Sequence, residues 1–187
     1  MTIPPEKLYD RRLDPFLTAI GLVANRYAEL EFAMNHFIWE LANVSCSAGV
    51  CMTAQMIGPA PRNRCLLSLL KFRQAPDQLL DDFNALGKKI EGLAAQRNRY
   101  VHDPLGIDSD TGVVFRMEAT ADRHLRYDLK TEEIGGLEKL ALQIATAIDE
   151  FDDLHERAAA ELPTWPRIQY AQSVGIRRRR IIRKTDD

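Results

Sequence analysis

The sequence predicts a mainly α-helical domain, a bundle of four or five helices with one inserted β-hairpin. Three observations carry that reading. Long segments near both ends and in the middle of the chain repeat apolar residues at helical spacing. The middle one runs into a proline stop at Asp103-Pro104, and two short stretches of strict apolar/polar alternation follow it. At 187 residues and 45% apolar content the chain fits one domain, with an N-terminal arm over 1–13, the helical domain over 14–162 and a tail over 163–187.

The first helix is expected to start at Asp14-Pro15, where the aspartate caps free amides and proline at the first position gives up no needed donor. It should run to about Asn43. Its apolar residues form two interleaved sevenfold series, Phe16, Val23, Leu30, Phe37 and Ile20, Tyr27, Met34, Leu41, which make one stripe. Residues 47–57 and 62–73 read as shorter helices, parted by Gly58-Pro59-Ala60-Pro61. After Pro76 a long helix carries Leu79, Phe83, Leu86, Ile90 and Leu93, and the same spacing then lands on Arg97 and Val101. His102 falls on the last turn.

The alternation of Val113, Phe115, Met117 and of Leu125, Tyr127, Leu129 predicts a hairpin over about 113–129 with those residues on one face. Matching the faces requires paired residue numbers with an even sum. A three-residue loop at Thr120-Ala121-Asp122 satisfies this and sets Arg116 opposite Arg126, a like-charge pair that needs Glu118, Asp128 or an RNA phosphate nearby. Thr131 is expected to cap the last helix, whose stripe is Ile134, Leu137, Ala141, Ile144, Ile148 and Phe151, ending at Leu162-Pro163.

Charge is divided unevenly. Residues 1–162 hold 18 Lys and Arg against 25 Asp and Glu, net −7, whereas 163–187 hold 7 against 2, net +5. An acidic body does not draw in nucleic acid through its overall field, so RNA would have to be bound locally or by the tail. No apolar run is long enough to span a bilayer and the N-terminus lacks an apolar core, which predicts a cytoplasmic protein without membrane attachment. Cys46, Cys51 and Cys65 have neither CxxC spacing nor paired histidines. They read as small core residues, and no metal or cofactor is expected.

One segment bears chemistry: Arg97-Asn98-Arg99-Tyr100-Val101-His102. A guanidinium on an apolar stripe needs a partner, either a carboxylate or a bound phosphate. Asn98 and His102 share a helical face, but Arg97 and His102 diverge by about 140° on an ideal helix. They are expected to converge at a frayed helix end before Pro104. Arg62-Asn63-Arg64 repeats the tripeptide without the histidine.

On Arg97, Asn98 and His102, in type, order and spacing, the sequence resembles the HEPN family, whose signature is an arginine, often followed by a polar residue, then a histidine after four to six residues at the end of a long helix. The likeness extends to the helix layout over roughly 14–162. It implies a metal-independent endoribonuclease acting as a homodimer, the two motifs facing each other across the two-fold axis. His102 would deprotonate a 2′-hydroxyl, Arg97 would stabilise charge on the phosphorus oxygens, and Asn98 would orient either. A toxin or defence effector with an antitoxin or regulatory partner is the implied setting. The alternative is a non-catalytic HEPN-like module that binds a nucleotide, an RNA or a protein. Toxins paired with a nucleotidyltransferase carry a tyrosine two residues past the histidine, where this chain has Pro104.

Further RNA contacts are offered by Arg99, Arg116 and Arg126, by Tyr100, for which packing is the favoured alternative, and by the tail residues Arg177, Arg178, Arg179 and Arg180, for which solvation or docking on an acidic body competes. His36 and Glu40 share a helix face but are too few to bind a metal, and His155 should lie at the edge of the last stripe.

Overall fold

Asp10 accepts a hydrogen bond from the Arg12 amide and starts a short 3-10 turn, Arg11–Leu13, that leads directly into the first helix. That helix, α1 (Asp14–Ala42), therefore begins within a continuing chain and has no side-chain cap, although Pro15 sits in its first turn as expected. It ends at Asn43, which takes the left-handed conformation that asparagine tolerates at helix ends. The computed structural model describes residues 10–121 and 125–163, with no side-chain description over 120–126.

α2 (Cys46–Thr53) is capped by Ser45, whose hydroxyl accepts from the Ala48 amide. α3 (Pro59–Phe72) corrects the expected linker, because Pro59 and Pro61 lie within its first turn. Proline costs nothing where the helix has no carbonyl to offer its amide. Gly58, at φ 77°, supplies the bend before it. α4 (Asp77–His102) buries the expected stripe of Leu79, Phe83, Leu86, Ile90 and Leu93. α5 (Ile134–Glu161) packs along α1 and α4 through Leu137, Leu140, Ala141, Ile144, Ala147 and Phe151. Phe37, Phe83 and Phe151 meet edge to face and tilted at the bundle centre, with ring centroids 5.4 to 6.0 Å apart. The fold is thus all-α with a small sheet.

Between α4 and α5 lies a three-stranded antiparallel sheet, β1 (Leu105–Ile107), β2 (Val114–Ala121) and β3 (Leu125–Thr131), in that order. β1 adds a strand to the expected hairpin; its three residues are too few to show alternation. Thr131 ends β3 and caps nothing, since α5 starts after Glu133. The even parity of the β2–β3 register holds, but Ala121 pairs with Leu125, so Thr120 and Ala121 belong to β2 and not to the expected loop. Arg116 consequently stands opposite Lys130, and Arg126 opposite Thr120.

The expected inward face is also reversed. Val114 and Arg116 are buried and Glu118 is half-buried, whereas Val113, Met117, Tyr127 and Leu129 are exposed. The surface beneath the sheet is ionic, and it takes the arginine in preference to the apolar row. Cys46 and Cys65 are half-buried and pack against the core as expected, whereas Cys51 is exposed and is not a core residue; all three are free thiols. Cys51 lies at the margin of the bundle, where apolar neighbours in sequence do not enclose a side chain.

Candidate functional site

Arg97 occupies the position on α4 that faces α1. Its guanidinium carbon lies 4.4 Å from the centre of the Tyr27 ring, and Nη2 is 3.9 Å from Glu31 Oε2. Tyr27 and Glu31 are one helical turn apart on α1, so both meet the same arginine. Glu31 is shared: Arg62, in the first turn of α3, approaches it to 3.4 Å while donating to Asn35 Oδ1 and to the Gly58 carbonyl. Two guanidinium groups thus surround one carboxylate. Arg97 Nε and the Tyr27 hydroxyl are both buried without a hydrogen-bond partner. Burial, and secondarily the Glu31 charge, pushes the Tyr27 phenol up to about 12.

Asn98 is exposed, and its side-chain oxygen accepts from Arg97 Nη1 at 2.7 Å. His102 lies one turn beyond Asn98 and is exposed. The frayed end expected to bring Arg97 and His102 together is absent. α4 remains helical through His102, Asp103 still donates its amide to the Arg99 carbonyl at 2.9 Å, and only Asp103 turns extended. Arg97 therefore faces α1 and His102 lies about 140° around the helix. Asn98 is the residue that touches one and shares a face with the other.

The remaining motif residues serve the junction with the sheet. Arg116 is 7% exposed and donates to Glu132 Oε1 at 2.7 Å and Asp103 Oδ2 at 2.8 Å, with Glu118 at 3.8 Å and the Tyr100 ring 5.0 Å from its guanidinium carbon. Burial, and then the Glu132 charge, raises the Tyr100 phenol. Arg99 lies 3.7 Å from both Asp103 and Glu118. The expected RNA contacts at Arg99, Tyr100 and Arg116 are thus occupied by carboxylates, Glu118 among them, and Arg116 is a buried structural cation. The Arg126 side chain and Arg177 to Arg180 lie outside the described residues.

Glu40 pairs with His155 at 2.6 Å, while His36 packs between Phe32 and Trp39. No group of three or more metal-ligating side chains occurs among the described residues. An open groove of about 410 Å³ runs between α4 and α5, spanned by the Lys89–Glu150 and Arg157–Asp82 ion pairs, and includes neither Arg97 nor His102. Sequence reading missed Tyr27, Glu31, Asn35 and Arg62. The available signal was the i, i+4, i+8 spacing of Tyr27, Glu31 and Asn35, which puts three polar groups in one row along α1.

Comparison with protein-family models, with curated proteins and with solved structures yields no match to this chain. No described helix is long and apolar enough to cross a membrane.

Proposed function

We propose that the chain is a HEPN-type, metal-independent endoribonuclease of the cytoplasm, acting as a homodimer in which Arg97, Asn98 and His102 of each copy contribute to one cleft. The observation that carries the reading is the loose compensation of Arg97. Its nearest carboxylate is 3.9 Å away and is shared with Arg62, while its Nη1 rests on the exposed Asn98. Such a cation can be recruited by a phosphate at little cost, unlike Arg116, which is held at 2.7 and 2.8 Å by two acids. His102, exposed on the same helix end, supplies an imidazole that can take the proton of a 2′-hydroxyl. Because the two diverge in one copy, a second copy is required to bring an arginine and a histidine to one phosphate. Attack by the 2′-hydroxyl on the adjacent phosphorus expels the 5′-oxygen, leaving a 2′,3′-cyclic phosphate and a 5′-hydroxyl; DNA is not cut.

The divergence itself favours a second reading, a non-catalytic HEPN-like module in which Arg97 anchors α4 to α1. Incubating the protein with labelled single-stranded RNA in EDTA, beside Arg97→Ala and His102→Ala, separates the two. Cleavage lost by about 100-fold or more in each variant is expected for the enzyme. Arg97→Ala should cost only about 1 kcal/mol of stability, mainly the contact with the Tyr27 ring. Cleavage that survives both substitutions, or its absence from the unmodified protein on several RNAs, would remove the nuclease reading.

A further inference from the structure

We infer that β3 is the docking edge for a second copy of this chain, pairing antiparallel with its own counterpart about a two-fold axis at Leu129. The inference stands on the sheet and is independent of the nuclease reading. No strand lies beyond β3 among the described residues, and every side chain from Tyr127 to Thr131 is exposed. Apolar exposure increases toward that edge. On β2, Phe115 is half-buried and Met117 is 42% exposed, whereas on β3 Leu129 is 70% and Tyr127 75% exposed. A free strand edge also presents unpaired amides and carbonyls, which another strand satisfies best.

Charge disfavours a register centred on Asp128 and suits one centred on Leu129. Pairing about Asp128 would set two carboxylates directly opposite each other, which is unfavourable. Pairing about Leu129 sets Asp128 opposite Lys130 twice, Tyr127 opposite Thr131 twice, and Leu129 opposite itself. Each is a favourable cross-strand combination, and Tyr127, Leu129 and Thr131 share one face of a continuous six-stranded sheet, with Asp128 and Lys130 on the other. The same patch meets itself, as an isologous two-fold contact requires. An RNA stacked on Tyr127 is the competing occupant, but the net charge of −7 over residues 1–162 disfavours a polyanion there. Five paired residues make a small interface, so a dissociation constant of about micromolar order is expected.

Light scattering on the full chain from about 1 to about 100 µM should show the mass rising from monomer to dimer. Leu129→Lys should raise the dissociation constant about tenfold or more. Directly opposed residues in an antiparallel pair lie about 4.5 to 5.5 Å apart at Cα, within disulfide range. Oxidised Leu129→Cys should therefore give a covalent dimer, and Asp128→Cys should not, with the oxidised unmodified chain as the control for Cys46, Cys51 and Cys65. Exposure of Leu129 makes both substitutions compatible with folding, and the cysteine variant reports independently of the lysine one. A monomer throughout the range would overturn the inference. So would a dimer that Leu129→Lys leaves unchanged, or RNA binding by a monomer that Tyr127→Ala abolishes.

Discussion

Tyr27 is the side chain whose chemistry and surroundings agree least. It is among the most deeply buried residues, yet its hydroxyl has no partner. Tyr27→Phe keeps the ring beneath Arg97 and removes the unsatisfied group, so a gain of about 1 kcal/mol is expected in denaturant unfolding. The pH profile checks this separately. A folded value of about 12 exceeds the ordinary tyrosine value of about 10, so the native state holds this proton more tightly than the unfolded chain. Its contribution is complete below about pH 10 and is lost as pH rises toward about 12; Tyr27→Phe should flatten that decline. Arg116 is the opposite case, a buried cation held by two close carboxylates and an aromatic ring. Arg116→Ala would strand Asp103 and Glu132, and the expected loss is about 3 to 5 kcal/mol in thermal or denaturant unfolding.

Among the elements, α2 meets α1 at a close approach of Gly49 to Trp39. Gly49 lies against the Trp39 ring, where an added Cβ would overlap ring carbons, and Trp39 Nε1 donates to Thr53 Oγ1 at 3.2 Å across the same contact. Gly49→Ala should therefore destabilise by about 1 to 3 kcal/mol despite alanine's better helix propensity, with Trp39 fluorescence reporting the displaced ring. The long helices were legible in the sequence because a stripe repeated over many turns averages out local exceptions. All five apolar stripe positions of α4, Leu79 to Leu93, are buried. The hairpin was legible in kind and parity but not in facing. Alternation shows which residues share a side, and only the carboxylates of Asp103 and Glu132, distant in sequence, decide that Arg116 turns inward. The motif was legible as a string, and its geometry was not, because the end of α4 depends on a strand that follows it.

On the scale of the molecule, the core formed by α1, α3, α4 and α5 is closed by Leu162, which is buried at the end of α5. Deleting residues 163–187 should leave the helical circular dichroism intact and shift the melting temperature by only a few degrees, the amount about 1 kcal/mol represents. A larger fall would place apolar tail residues against the core.

The join between α4 and the sheet has a mechanical consequence. The Asp103 amide ends the last turn of α4, its carboxylate grips Arg116, and Met117 donates to the Pro104 carbonyl at 2.9 Å. His102 is thereby clamped from the far side of the hairpin, as a key is held by its bow. The β2–β3 arm is thus tied by two hydrogen bonds to the two residues that follow His102, so arm and helix end are mechanically joined outside the hydrophobic core. Amide exchange at Asp103 and Met117 in Arg116→Ala should accelerate together, ahead of α1 and α5, if helix end and arm move as one lever.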